Sequence, residues 1–183
     1  RYTFVHGDVR DRALLDTVLA THRPRAIVHL AAETHVDRAI ADATAFARTN
    51  TLGTLTLLQA ARAHLQARPA ADATAFRFLH CSTDEVFGSL APDEAPCDEQ
   101  APYRPRNPYA ASKAAADHFV AAFHVTYGLP TLVTRGSNTY GPGQHPEKLV
   151  ALAIERILAG EPVPLYGDGS AVRDWLYVDD HVA

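Results

Sequence analysis

A tyrosine and a lysine four residues apart, Tyr109 and Lys113, form the pair in this sequence whose spacing most directly predicts chemistry. Asn107 and Pro108 precede them and have the residue types of a helix N-cap followed by proline at the first helical position. Both side chains therefore lie on one face of a predicted helix, one turn apart. A free phenol, with a pKa of about 10, is a poor base at neutral pH. Because an ammonium nearby stabilises the phenolate, we expect Lys113 to bring the pKa of Tyr109 into a useful range.

A second polar group lies upstream of this pair, at the end of the apolar run Phe78–Cys81. Residues 82–88 read Ser-Thr-Asp-Glu-Val-Phe-Gly and so place two hydroxyls and two adjacent carboxyl groups at a predicted strand end. Two neighbouring carboxyl groups suit an acid beside a base, because their mutual repulsion raises the pKa of one of them. A Tyr/Lys pair alone is common on solvated helix faces, and the combination with residues 82–88 is what favours a catalytic site.

The strand end with hydroxyls and carboxylates, followed by the Tyr/Lys helix, resembles the extended short-chain dehydrogenase/reductase family. Within that family, residues 82–88 resemble the signature of the dTDP-glucose 4,6-dehydratases. The resemblance implies an NAD-dependent hydro-lyase of deoxysugar (rhamnose-type) biosynthesis. Such an enzyme removes water from a nucleotide-linked hexose across C5 and C6 while C4 is temporarily a ketone.

The resemblance also implies a role for each residue of the predicted active site. Tyr109, beside Lys113, takes the proton of the 4-hydroxyl while hydride leaves C4, and Thr83 hydrogen-bonds the same oxygen. Glu85 removes the C5 proton. Asp84, held protonated, gives its proton to the departing 6-hydroxyl.

The binding residues are likewise implied by the resemblance. For NAD they are Asp8, Val9, Leu30, Ala31, Ala32, Thr49, Ser82, Tyr109 and Lys113, with Asn50 in support. For dTDP-glucose they are Thr34, His35, Thr83, Asn138, Lys148, Leu149, Pro164, Tyr166 and Arg173. Lys148 and Arg173 can meet a diphosphate, Arg173 with a planar fork of donors.

Three alternatives remain open on the sequence. A nucleotide-sugar 4-epimerase shares the hydroxyl, tyrosine and lysine but needs no acid and base after the serine, so Asp84 and Glu85 speak against it. A UDP-sugar 4,6-dehydratase shares Thr-Asp-Glu, which leaves thymidine and uridine both possible as the nucleobase. A non-catalytic dinucleotide sensor on the same fold usually lacks the Tyr/Lys pair that is present here.

Composition narrows the function classes further. Of the 183 residues 47% are hydrophobic and 21% charged, which is typical of a globular protein. The net charge of −4 and the lack of a basic stripe argue against a nucleic-acid partner. The apolar runs are too short for a membrane span, and the ten histidines lack the spacing of a metal site. Two cysteines without a C-x-x-C motif favour a reduced, cytoplasmic setting.

Apolar runs and amphipathic segments alternate along the chain. The predicted elements are strands at Phe4–Val9, Ala26–Ala32, 78–82 and Thr131–Arg135, with helices at Arg12–Thr21, Ala45–Ala67 and Pro108–Tyr127. This order predicts an α/β fold with a doubly wound parallel sheet of the Rossmann type, whose second strand is covered on both faces. Ligands bind such sheets beyond the carboxyl ends of the strands. The polar candidate residues follow those ends.

Two domains are predicted: residues 1–137, the central and C-terminal part of an NAD-binding domain, and residues 138–183, the start of a smaller substrate-binding region. The second contains a helix ending near Gly160 and strands at Pro162–Gly169 and Val172–Val178. No G-x-G-x-x-G or G-x-x-G-x-x-G occurs among the ten glycines. We therefore expect a piece of a longer protein, cut at both ends, that by itself binds NAD poorly or not at all.

A homodimer is the predicted assembly. The helices at Ala45–Ala67 and Asn107–Tyr127 combine apolar stripes with many alanines, which permit close helix approach. The family resemblance implies a two-fold four-helix interface built from these segments.

Overall fold

The computed structural model describes residues 2–69, 74–91, 93–165 and 167–183. It separates into two compact units, Arg1–Arg135 and Gly136–Ala183. The first unit contains a parallel three-stranded sheet in the order β1-β2-β3. Its strands are β1 (Ala26–His29), β2 (Arg77–Cys81) and β3 (Thr131–Thr134). The α/β class and the parallel sheet are thus confirmed.

Helical segments alternate with these strands. They are α1 (Arg12–His22), α2 (Val36–Ala41), α3 (Ala43–Phe46), α4 (Thr54–Gln66) and α5 (Pro108–Tyr127). A π-helical segment, Ala47–Gly53, joins α3 to α4, so the helix predicted at residues 45–67 is one continuous helical run. None of the helices in the described ranges is both long and apolar enough to cross a membrane.

Local chemistry sets the ends of α5. The Asn107 side chain accepts a hydrogen bond from the Ala110 amide at 2.8 Å, and Pro108 occupies the first helical position. Gly128 ends the helix with a φ of 67°, a left-handed conformation that glycine adopts without a Cβ clash. The predicted boundaries of this helix are confirmed.

The core of the first unit lies between one face of the sheet and helices α4 and α5. Its buried members are Leu57, Leu58, Ala61, Phe76, Phe78, Val120, Phe123 and Leu129. On the opposite face, Val28, Leu79 and Leu132 are in register across the three strands. Val28 and Leu132 are 57% and 54% exposed, so the expectation that β1 is covered on both faces is wrong for the described residues.

The strand predicted at Phe4–Val9 is absent from the described residues. A strand exists by hydrogen bonding to a neighbour, and among the described residues of this unit the sheet consists of β1, β2 and β3. Phe4 is 72% exposed, whereas Val9 packs against the core. The apolar pattern of this segment therefore did not produce a strand.

The second unit has its own short elements. They are β4 (Asn138–Tyr140), α6 (Leu149–Leu158), β5 (Trp175–Tyr177) and α7 (Val178–Val182), with β4 parallel to β5. The prediction of a strand at Pro162–Gly169 is wrong for the described residues of that range, which include a turn. Gly167 and Gly169 have φ values of 64° and 79°, which suit a turn and not a strand. The last predicted strand is confirmed over β5.

Candidate active site

The carboxylate-bearing turn follows directly from the carboxyl end of β2. Thr83 is extended and caps a 3-10 turn, Asp84–Phe87. Its hydroxyl donates to Asp84 Oδ1 at 3.1 Å and accepts from the Glu85 amide at 3.2 Å. One threonine side chain thereby holds both acidic residues of the turn in place.

Helix α5 brings the predicted Tyr/Lys pair to the same strand end. Tyr109 and Lys113 are 9% and 4% exposed. Lys113 Nζ donates to the carbonyl oxygen of Cys81, the last residue of β2, at 2.7 Å. The structure therefore unites the five predicted catalytic residues at one edge of the sheet.

The pKa of Tyr109 differs from the expectation. Burial, together with the neighbouring carboxyl groups of Glu85 and Asp84, raises the pKa of Tyr109 to about 12, although the Thr83 hydroxyl opposes this rise. The lowering predicted from Lys113 is wrong for this structure, because burial and the two carboxyl groups shift the pKa of Tyr109 in the opposite direction. The Lys113 ammonium donates to the Cys81 carbonyl. Burial also lowers the pKa of Lys113.

The pKa of Asp84 moves in the direction that a proton donor requires. Burial raises it, and the adjacent Glu85 adds to the rise, while the hydrogen bond from Thr83 acts against it. A carboxyl group that keeps its proton to higher pH can serve as a general acid.

Asn50 connects the predicted cofactor-binding loop to the catalytic helix. This side chain, 1% exposed on the π-helical segment, exchanges two hydrogen bonds with the Glu33 backbone, at 2.8 Å and 2.9 Å. Its Nδ2 also donates to Ser112 Oγ at 2.9 Å. Single π turns often occur at functional sites, and this one ties the loop after β1 to α5.

A buried polar cluster around Asp117, one turn beyond Lys113, was missed by the sequence analysis. Asp117 Oδ2 accepts from Arg135 Nε at 3.0 Å and from the Tyr103 hydroxyl at 3.1 Å, and His80 Nε2 lies 3.4 Å from Oδ1. Although burial opposes it, His80, Ser82 and Arg135 lower the pKa of Asp117. The sequence contains a signal for this cluster, because Tyr109, Lys113 and Asp117 are spaced four residues apart and so lie on one helix face.

We expect Asp117→Asn to lower the free energy of unfolding of the complete protein by about 3 kcal/mol. The change removes the carboxylate charge and so leaves the buried polar groups around it without their charged partner. Urea unfolding followed by circular dichroism measures this. The matched control is Asp16→Asn, which breaks the exposed pair with Arg12 (2.8 Å) and is expected to cost at most about 1 kcal/mol. Equal losses in the two variants would contradict the assignment.

Besides Tyr109 and Lys113 on α5, the predicted cofactor residues of the first unit lie in four places. Leu30, Ala31 and Ala32 lie in the segment between β1 and α2, where Leu30 is 71% exposed. The predicted substrate residues Thr34 and His35 lie in the same segment. Thr49 is on the π-helical segment, and Ser82 follows β2. Asp8, beside Val9, accepts hydrogen bonds from the Arg10 side chain and amide, which lower its pKa to about 2.

The predicted substrate residues of the second unit are spread along its elements. Asn138 begins β4, Lys148 precedes α6 and Leu149 begins it. Pro164 and Arg173 are exposed, and Tyr166 lies outside the described residues. Lys148 Nζ is 3.7 Å from Glu147 Oε1.

Comparison with known proteins gives one family match and many relatives. The family model described as GDP-mannose 4,6 dehydratase matches residues 1–183. A dTDP-glucose 4,6-dehydratase of Neisseria gonorrhoeae is 55% identical over 181 residues, which are 99% of this chain and 52% of the relative. The chain thus spans about half the length of the curated relatives it matches.

Solved structures show the same fold. The dTDP-glucose 4,6-dehydratase DesIV of Streptomyces venezuelae, solved with NAD bound, has a TM-score of 0.85 and 50% identity, covering 97% of this chain and 51% of that one. A UDP-glucose 4-epimerase of Thermotoga maritima, solved with UDP-glucose, has a TM-score of 0.87 but 32% identity, covering 98% of this chain and 56% of that one. Backbone similarity therefore does not separate dehydratase from epimerase, whereas sequence identity favours the dehydratases.

Proposed function

This chain belongs to the GDP-mannose 4,6 dehydratase family, and we propose that the complete protein is an NAD-dependent hydro-lyase that converts dTDP-glucose to its 4-keto-6-deoxy product. The observation that carries the proposal is the turn Thr83–Glu85 held beside Tyr109 and Lys113. This site combines the groups for oxidising an alcohol with a separate acid and base for removing water.

Two arguments support dTDP-glucose over other nucleotide sugars and over epimerisation. Curated relatives at 49–55% identity are named dTDP-glucose 4,6-dehydratases. An epimerase has no use for an acid with a raised pKa next to a second carboxyl group, and Asp84 and Glu85 supply that combination. Thymidine is therefore the proposed nucleobase.

The residues present fit NAD. The Lys113 ammonium carries three donors, and the Cys81 carbonyl is its partner within the described ranges, which leaves donors for ribose hydroxyls. The exposed apolar Leu30 and the small Ala31 offer an open surface at the carboxyl end of β1. Asp8, Val9, Ala32, Thr49 and Ser82 are proposed to complete the cofactor contacts. NAD, when bound, would supply the hydride acceptor for C4 and the hydride donor for C6.

The chain's own residues perform the proton transfers. Tyr109 takes the proton of the 4-hydroxyl as a phenolate, and the Thr83 hydroxyl positions the same oxygen. Because the pKa of Tyr109 is about 12, this step requires a further positive charge near the phenol, which the cationic nicotinamide ring of bound NAD would supply. The resulting C4 ketone acidifies the C5 hydrogen, which Glu85 removes. Asp84 then protonates the departing 6-hydroxyl, so water leaves without a free hydroxide ion. Glu85, now protonated, returns a proton to C5 when hydride is returned to C6.

The remaining assignments are part of the same proposal. Residues 1–137 are assigned to NAD binding and residues 138–183 to nucleotide-sugar binding, with Asn138, Lys148, Leu149, Pro164, Tyr166 and Arg173 as contacts. The complete protein is proposed to be cytoplasmic. It is also proposed to pair through the helical run at residues 43–66 and α5, where Val125 and Tyr127 are exposed apolar residues.

The test is mass spectrometry of dTDP-glucose incubated with the complete protein and catalytic NAD. We expect a product that has lost one water, with no net consumption of NAD. A product of unchanged mass that is inverted at C4 would reassign the protein as an epimerase.

A further inference from the structure

The amide side chain of Asn107 forms two hydrogen bonds with different partners. Its Oδ1 accepts from the Ala110 amide at 2.8 Å and so caps helix α5. Its Nδ2 donates to Glu85 Oε2 at 2.9 Å. One side chain therefore connects the first turn of the helix that bears Tyr109 to the carboxylate on the turn after β2.

The helix end determines which end of the amide faces Glu85. Only the amide oxygen can accept the Ala110 N–H, because the NH₂ group is a donor without acceptor capacity. Nδ2 is consequently directed at Glu85, where a donor stabilises the charged carboxylate. The cap thus orients a donor toward the proposed base.

The two oxygens of Glu85 then have different surroundings. Oε2 is held by Asn107, while Oε1 has no hydrogen-bond partner in the described part of the chain. An oxygen without a partner is free to accept a proton.

We propose that Asn107 is a positioning residue for the elimination step: its amide holds Glu85 Oε2 so that Oε1 takes the C5 proton. The inference rests on the proposed function and deepens it. Asn107 lies outside the proton path of C4 oxidation, which runs through Tyr109 and Thr83. Its removal should therefore slow elimination and leave oxidation unchanged.

Serine is the matched replacement, because serine and asparagine cap helices almost equally well and only asparagine adds an NH₂ donor. We expect Asn107→Ser in the complete protein to keep the wild-type melting temperature. Single-turnover absorbance should show C4 oxidation at the wild-type rate. Incorporation of solvent deuterium at C5 should fall about 10- to 100-fold, the effect of losing one hydrogen bond to a charged group.

Asn107→Asp allows a second measurement, the pH dependence of elimination, which would not change if Asn107 served only as a helix cap. Aspartate keeps the capping oxygen but places a third carboxyl group beside Glu85, which already faces Asp84 and the Tyr109 phenol. One of the crowded carboxyl groups then keeps its proton to higher pH. Both variants lose the donor to Glu85, and Asn107→Asp also adds a like charge. We therefore expect the acid limb of the elimination rate to move to higher pH in both variants, and clearly further in Asn107→Asp than in Asn107→Ser.

The outcomes separate the inference from the proposed function. If the wild-type protein releases no dehydrated product, both are overturned. If the wild type is active but Asn107→Ser slows oxidation and elimination equally, or changes neither, the inference alone is overturned. Asn107→Ala serves as the control for capping, since it loses both bonds and should lower the melting temperature as well.

Discussion

Tyr109→Phe in the complete protein is expected to abolish C4 oxidation, with a loss of at least about 10²-fold in its rate. The change removes one oxygen and keeps the ring, which is buried and packs edge-on against Phe46 at a centroid distance of 6.4 Å. The fold and the affinity for the nucleotide sugar should therefore change little. Single-turnover absorbance of the reduced cofactor measures the step, and equilibrium binding of dTDP-glucose measures the affinity.

The matched control lies on the same helix. Tyr127 is 47% exposed and its ring lies against the guanidinium of Arg62 at 3.8 Å, an interaction that phenylalanine retains. Tyr127→Phe should oxidise C4 normally. Normal reduction of the cofactor in Tyr109→Phe itself would rule out Tyr109 as the base.

Glu85→Gln and Asp84→Asn are expected to separate the two halves of the elimination. Without the Glu85 carboxylate, C4 should still be oxidised, but the reaction should stop at the 4-keto hexose and solvent deuterium should fail to enter C5. Asp84→Asn should slow departure of the 6-hydroxyl, because an amide cannot give a full proton to a leaving group. Each defect should be about 10²–10⁴-fold, the usual contribution of a general acid or base.

A substrate with fluorine at C6 distinguishes the two roles. Fluoride leaves with little need for protonation, so this substrate should rescue Asp84→Asn far more than Glu85→Gln. Glu94→Gln, at an exposed ion pair with Arg104, is the control and should behave as the wild type. Equal rescue of both variants, or loss of C4 oxidation in both, would show that the two carboxyl groups are wrongly assigned.

The catalytic helix could be predicted from sequence because its signals are local. Asn107, Pro108 and Gly128 act on the backbone within a few residues of themselves. Thr83–Glu85 was likewise recognised, because the residues follow one another directly after an apolar strand. Long-range relations could not be read in this way. The bond from Asn107 to Glu85 spans 22 positions, and the bond from Arg135 to Asp117 joins the end of β3 to the helix.

The pKa of Tyr109 illustrates what spacing leaves out. The four-residue spacing places Lys113 one helical turn from Tyr109, and this spacing alone predicts a lowered pKa of Tyr109. Burial and the approach of Glu85, which depend on the folded chain, raise the pKa instead. The prediction of a strand at Phe4–Val9 failed for a related reason. A strand requires hydrogen bonds between two segments, and an apolar pattern describes only one of them.

The π-helical segment Ala47–Gly53 constrains how this region can change length during evolution. A π turn contains one residue more than an α turn, and each residue of an α-helix rotates the chain by about 100°. Phe46, before the segment, contacts Tyr109, while Leu58, after it, lies in the core of the first unit. Deletion of a single residue between them would rotate one of these faces away from its neighbours. The segment should therefore resist insertions and deletions.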